Sequence, residues 1–412
     1  MPVKRTKAKR TAVAAEASAS AQRKEVRRTK ANPEKAKKTK APKRAKKKLG
    51  SMDLTFLLLV LILVAFGLVM LFSSSYALAY SSTGDSLYYI KKQGLFAVLG
   101  IIIMIVVSRI PYYIYKNASN LIYGVCVALM ALVVVLNAGG PGRWIQIGSF
   151  SFQPSELMKL AIIIIFAKLI AENYNKMGTF RYGVWPFILA LLPVIAILMV
   201  FQHHLSATII ICAIGLLMMF VGGTHIKYFL SLIPVGVVGL VGIILAKGVD
   251  YMVTRVQIWL DPWSDPSDKS WQIIQSMIAI GSGGVMGEGL GNSRQKYMYL
   301  PEAQNDFIFA IVCEELGLIG AVLIIALFVF LAYRGFVIAN KAPNKFAGML
   351  VIGITIQIAL QALLNIAVVS NSIPNTGISL PFFSYGGTAL VIQLAEMGIV
   401  LNVSRYAHEE KA

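Results

Sequence analysis

Charge is scarce in this chain outside one tail. Asp, Glu, Lys and Arg make up only 14% of the 412 residues, too few to clothe a water-soluble globule of this size. Cysteine is scarcer still. Cys126, Cys212 and Cys313 each sit in an apolar run, where a thiol behaves as a small hydrophobe, and their spacing suits neither a disulfide framework nor a metal site. His203 and His204 are adjacent and have no spaced acidic or Cys partners, which excludes the usual zinc patterns. There is no nucleotide-binding loop, no nucleophile elbow and no zinc motif. Any work the protein does must therefore draw on its substrate or on a gradient. Residues 1–50 lack aromatics, Asp and apolar periodicity.

What is present is apolar. Hydrophobic residues reach 57% and the mean hydropathy is +0.69, as in an all-α polytopic membrane protein. The tail holds 19 Lys or Arg against Glu16, Glu25 and Glu34, so +16 of the net +20 lies there. Such a tail cannot bury enough surface to offset the entropy of ordering and reads as a disordered cytoplasmic segment. Beside a membrane it suits anionic lipid, at ~1 kcal/mol per basic residue, rather than nucleic acid. The apolar run that follows is too long for a cleaved signal peptide.

A span needs about 20 predominantly apolar residues. Ten stretches qualify, near 54–74, 94–110, 119–137, 155–172, 184–201, 205–222, 228–247, 306–333, 346–370 and 386–404. The expected organisation is a basic tail over 1–50, a ten-helix membrane domain over 51–407 and a short cytoplasmic tail over 408–412. Lys and Arg favour the connections on the tail's side, including Arg109, Lys116, Lys176, Arg334, Lys341 and Arg405, so both termini read as cytoplasmic. Between the seventh and eighth spans lies an extracytoplasmic loop, 248–305. It is far longer than an ordinary connection, and its glycines are interleaved with Trp259, Trp263, Trp271, Tyr297 and Tyr299. TRVQIWLDPW and SWQIIQSMIAIGSGG within it read as short amphipathic helices at the interface. Two further outer loops, 137–156 and 371–387, mix Pro, Gly and aromatics. Irregular backbone near lipid is tolerated where it lines a wet cavity, so three such loops imply one shared outer site.

The groups that could do chemistry gather there. Glu302 and Asp306 are four apart, on one face if helical, and Asp306 would also cap the eighth span. The plainer reading of Asp306 is that cap alone. Arg143, Glu156, Lys159, Arg294 and Lys296 supply charge nearby, a set that fits a phosphate-bearing substrate with one carboxylate free for proton transfer. The plainer reading of Glu156 and Lys159 is a structural ion pair. Gln357, Gln361 and Asn365 form one polar stripe in the ninth span, which must face the bundle, and Glu314, Glu315 and Glu396 need internal partners.

Four motifs then carry a resemblance. GGPGRWIQIGSFSFQPSELMKL, RVQIWLDPWSDP, WQIIQSMIAIGSGGVMGEGLGNSRQKYMYLPEAQNDFIFAIVCEELG and PNTGISLPFFSYGGTAL, in that order, make residues 52–407 resemble the SEDS family of cell-wall proteins, the RodA and FtsW type. The resemblance implies a peptidoglycan glycosyltransferase in the bacterial cytoplasmic membrane that polymerises lipid II at the outer face. It would work with a class B penicillin-binding protein among other divisome or elongasome membrane proteins. Under it Asp306 is the catalytic carboxylate. Arg143, Glu156, Lys159, Arg294, Lys296, Glu302 and Ser384 contact substrate, and a divalent cation, magnesium or manganese, is the one conceivable cofactor. A lipid II flippase and a non-catalytic scaffold for the penicillin-binding protein are the alternatives. Two positions depart from the family pattern. Gln202-His203-His204-Leu205-Ser206 stands where a Pro-Asp-Leu-Gly type turn is usual, and Thr376 stands where Lys is frequent.

Overall fold

The computed structural model describes residues 50–137, 142–147, 150–230, 256–266 and 270–407. The basic tail, the greater part of the expected seventh span, Arg255, and the end of the chain from residue 408 lie outside the described residues. From Leu49 onward the chain forms one compact unit.

The described helices are α1 (Leu54–Thr83), α2 (Tyr88–Val107), α3 (Tyr113–Leu136), α4 (Pro154–Asn173), α5 (Trp185–Ala196), α6 (Leu205–Val221), α7 (Trp271–Ser282), α8 (Ile308–Asn340), α9 (Lys345–Val369) and α10 (Gly387–Ala407). Nine of the ten expected spans coincide with one of these; α7 belongs to the long loop. Among the described residues, seven stretches are long and apolar enough to cross a membrane: α1, α2, α3, the stretch Phe180–Phe201 that contains α5, α8, α9 and α10. α6 is apolar but shorter, and α4 carries four charges. Asp53 caps α1 by accepting from the Phe56 amide, and its carboxylate also pairs with Arg334 of α8 at 2.8 Å.

Burial sorts the helices. In α9, 78% of the apolar window is buried, against 22% in α2 and α3. α9 is therefore the central post, packed against α4, α6, α8 and α10, while α2 and α3 offer broad apolar faces to lipid. The polar stripe of α9 faces inward as expected: Gln357, Gln361 and Asn365 are all buried.

The structure departs from the all-α expectation in the 142–156 loop, where Ile145–Ile147 (β1) pairs antiparallel with Phe150–Phe152 (β2). Alternating β-branched and aromatic residues favour that pleated pairing. α5 contains Pro193 and ends in a π-helical turn, Ile197–Phe201. The chain then reverses through His203, which has a positive φ of 49°, and His204 caps α6 by accepting from the Ala207 amide at 3.1 Å.

The long loop does more than lie on the interface. α7 ends where the glycine-rich segment passes alongside residues 313–317 of α8, about two turns or ~10 Å into that helix. There α8 is interrupted at Gly317, which adopts φ 64° and ψ −164°. A Cβ on Gly317 would stand 2.4 Å from the Gly287 nitrogen, and one on Gly283 would stand 2.0 Å from the Cys313 carbonyl oxygen. The interruption frees backbone groups, and the loop satisfies them. Amides 288 and 289 donate to the carbonyls of Glu314 and Glu315, and amides 318 and 319 donate to those of Gly284 and Val285. An exposed break in lipid would leave these groups unpaired, so the re-entrant segment and the break require each other.

Candidate active site

Irregular loops and five helices, α2, α4, α6, α9 and α10, line a cavity of about 500 Å³. Its walls include Lys92 of α2, Arg143, Gln153 before α4, Glu156 and Lys159 of α4, His204, Asp306, Gln361 of α9, and the Gly377–Ser384 loop that leads into α10. The expectation of one site shared by three irregular loops thus holds.

Local sequence explains each placement. Pro154 occupies the first turn of α4, where its missing N–H costs nothing, and Glu156 follows at the positive end of the helix. One turn on, buried Lys159 meets Glu156 at 2.8 Å and donates to Gln361 Oε1 at 3.2 Å. Asn365, one turn further along the stripe of α9, donates to the carbonyls of both Asp306 (2.7 Å) and Ile378 (2.6 Å). Asn365 of the stripe thus ties the loop that carries Asp306 to the loop before α10. Gly377, with φ 63°, presses close on the carboxylate: a Cβ there would lie 3.1 Å from Asp306 Oδ2.

Asp306 itself differs from its expected pose. α8 begins at Ile308 after Phe307, with no side-chain cap, and residues 301–307 form turns in which Glu302 has a φ of 55°. Asp306 is thus no helix cap, and it shares no helical face with Glu302. The reason is that both carbonyls of this loop's close are claimed from outside: Asn365 takes the carbonyl of Asp306, and the Ser384 hydroxyl takes that of Asn305 at 2.7 Å. Burial, assisted by the negative charge of Glu302, raises the Asp306 carboxyl to about 6. The carboxylate is thereby a stronger base than a free Asp near 3.9 while staying ionised at neutral pH.

Lys296, Arg294, Glu302 and Ser384 were expected at the substrate. The structure assigns the first two elsewhere. Lys296 is buried and pairs with fully buried Glu315 at 3.0 Å, beside the hydroxyl of Ser73 from α1. Glu314 accepts from the backbone amides of Arg294 (2.8 Å) and Gln295 (3.3 Å) and from the Ser293 hydroxyl. The two glutamates form a knot that holds the loop 293–296 in the bundle. Their need for internal partners drew Lys296 inward, and the exposed Arg294 side chain stays outside the cavity. Glu302 is exposed, accepts from Asn305 and acts on Asp306 through its charge. Ser384 lines the cavity, but its hydroxyl is engaged as donor to Asn305 and as acceptor from the Leu380 amide at 2.8 Å. Arg143 lines the cavity with Nη2 donating to the His203 carbonyl at 2.9 Å and Nε donating to that of Gln202 at 3.3 Å.

His204 and Gln153 were missed. The Ala207 amide can only donate, so Nδ1 of His204 accepts. Burial first, and then the Arg143 charge, lower this imidazole to about 4, so it is neutral at pH 7 and Nε2 carries the proton. Nε2 lies 2.8 Å from the Gln153 amide nitrogen; two donors cannot bond, so a protonated Nε2 requires the Gln153 amide to be turned with its oxygen toward the ring.

Among the described residues no three His, Cys, Asp or Glu side chains gather to hold a metal. Glu156 is committed to Lys159, which leaves Asp306 as a single carboxylate, so the wall does not form a resident divalent-cation cage.

The model of the FtsW, RodA and SpoVE family, described as cell cycle proteins, matches residues 53–409. The chain belongs to this family. It is 41% identical over 361 residues to stage V sporulation protein E of Bacillus subtilis (strain 168), covering 87% of this chain and 98% of that one. Similar too is a probable peptidoglycan glycosyltransferase FtsW of Geobacter sp. (strain M18), at 38% identity over 362 residues with the same coverages. A chain of a peptidoglycan synthase complex that coordinates polymerization and crosslinking matches with a TM-score of 0.71 and 25% identity, covering 87% of this chain and 98% of its own. The rod shape determining protein RodA of Thermus thermophilus matches with a TM-score of 0.63 and 25% identity, with the same coverages. Family membership and the seven apolar helices make this a multi-pass membrane protein.

The position of Glu302 yields a pH prediction. Were Asp306 to serve as a general base, it would act unprotonated, and the rate would fall up to tenfold per unit as pH drops below about 6. Removing the Glu302 charge eases ionisation of Asp306, and Glu302→Gln should therefore move this acid limb to lower pH. Rate profiles of the two proteins between pH 4.5 and 8 check this, and an unmoved limb would detach Glu302 from the base.

Proposed function

We propose that the chain is a peptidoglycan glycosyltransferase that polymerises lipid II at the outer face of the bacterial cytoplasmic membrane. In this reading α1–α6, α8–α10 and the segment 228–247 make ten spans, with both termini cytoplasmic and the basic tail against anionic lipid. The long loop belongs to the outer face, where a class B penicillin-binding protein would dock. The observation that carries the reading is Asp306, a partly buried carboxylate raised to about 6, in a cavity that also presents cationic side chains.

Asp306 accepts the proton of the acceptor sugar hydroxyl. The hydroxyl oxygen forms its bond to the anomeric carbon of the donor as the bond from that carbon to the lipid diphosphate breaks, with inversion. The diphosphate is a good leaving group, so the protein's main tasks are to align the sugars and to stabilise departing charge. Arg143, braced on the 202–203 turn, keeps positive potential at a fixed place in the wall, and Lys159, held by Glu156 and Gln361, is fixed beside it as part of an ion pair. The test is reconstitution. The purified protein, with its penicillin-binding partner and lipid II, should yield long glycan strands on a gel. Transport of lipid II across vesicles without strands would instead favour a flippase, and neither activity would favour a scaffold.

A further inference from the structure

Among the described residues, three cations line the cavity. Lys159 is neutralised by Glu156 at 2.8 Å and further held by Gln361. Arg143 directs two of its nitrogens at backbone carbonyls. Lys92, in the first turns of α2, differs from both. Its ammonium donates to the Tyr88 hydroxyl at 2.6 Å and lies 4.2 Å from the centroid of the same ring. Among the described residues no carboxylate stands within ion-pair distance of it.

The surroundings of Lys92 are built. Tyr88 packs edge-on to Tyr89 at 5.3 Å, and Tyr89 packs edge-on to Tyr385 at 4.9 Å. Tyr385 in turn donates its amide to the Gln304 carbonyl, two residues from Asp306. One aromatic wall thus joins α2 to the loop that carries the base. Neutral phenols and rings can steady an ammonium by hydrogen bonding and cation–π attraction, but they leave its charge uncompensated. Gly386, Gly387 and Thr388, at the amino end of α10, line the same cavity, where the helix dipole has the same sign as the ammonium. A fixed cation without a counter-ion in a cavity wall is a receptor for a strongly charged anion, and a diphosphate provides one.

We propose that Lys92 binds the diphosphate of the lipid-linked donor, an assignment that rests on the glycosyltransferase reading. As the bond to the anomeric carbon breaks, the diphosphate gains negative charge. A cation held there attracts the transition state more strongly than the ground state.

The probe is farnesyl diphosphate, with farnesol as the uncharged control, and the full chain is held in phosphatidylcholine nanodiscs. Lys92→Ala should weaken farnesyl diphosphate roughly tenfold or more, as expected for a lost charged hydrogen bond. Farnesol binding and melting temperature should not change. Lys92→Arg should retain most of the affinity, and Asp306→Asn should bind as the unaltered protein does. Equal affinity of Lys92→Ala and the unaltered protein for farnesyl diphosphate would overturn the assignment. A phosphate could also come from a lipid headgroup. Displacement of the probe by phosphatidylglycerol, lost in Lys92→Ala, would assign the site to that headgroup and overturn the donor role. Strand synthesis is scored separately, so a protein that makes no polymer counts against the glycosyltransferase reading while diphosphate binding still decides the role of Lys92.

Discussion

Asp306→Asn is expected to lower strand synthesis by ~10²–10⁴-fold, the usual contribution of a positioned base. The change keeps the size of the side chain and removes only its ability to take a proton at neutral pH. The backbone that holds it should be unaffected, because Asn365 and Ser384 grip the carbonyls of Asp306 and Asn305 rather than the carboxylate. Melting temperature should therefore be no lower than that of the unaltered protein, because the cost of burying the carboxylate is relieved. Strand assays with the purified protein, its partner and lipid II check this on denaturing gels. Normal strands from Asp306→Asn would sink the assignment of the base.

Lys296→Met is expected to act in the opposite way, on folding and not on chemistry. It would leave the fully buried Glu315 carboxylate facing Ser73 without its cation, and removing one partner of a buried pair costs about 3–5 kcal/mol. The expected result is a large drop in melting temperature and little recovered protein, while the fraction that folds turns over normally. Adding Glu315→Gln should restore most of the stability, since the uncompensated charge is gone. A Lys296→Met protein with unchanged melting temperature and impaired turnover would return Lys296 to the substrate.

These two residues show why some of the site was legible in the sequence and some was not. Both stand within one motif, ten apart, and each looks like a functional charge at a membrane surface. Asp306 reaches the cavity because two polar side chains from α9 and the α10 loop seize the backbone around it. Lys296 is drawn away by Glu315, nineteen residues later. That pairing depends on the break at Gly317, which lets the glycine-rich segment lie against α8. The loops at 137–156 and 371–387 could be expected to share one cavity because irregular backbone near lipid needs a polar lining, and described residues of both line it. Lys92 and His204 gave weaker signals: one of two adjacent lysines just before an expected span, and a histidine in a turn that departs from the family pattern.

The sequence by itself determined that this is a helical membrane protein, approximately where nine of its helices run, and which family it belongs to. Hydrophobic run length, the cost of ionisable groups in lipid and long shared motifs are properties of the chain read locally. Only the tertiary structure decided which charges meet. Glu156 and Lys159 are three residues apart and could be paired on paper. Asp306 with Gly377 and Asn365, Lys296 with Glu315 and Ser73, and Lys92 with its tyrosine wall join separate helices and loops. In a low-dielectric interior each buried charge takes the partner that packing brings within ~3 Å, and that competition is resolved in three dimensions.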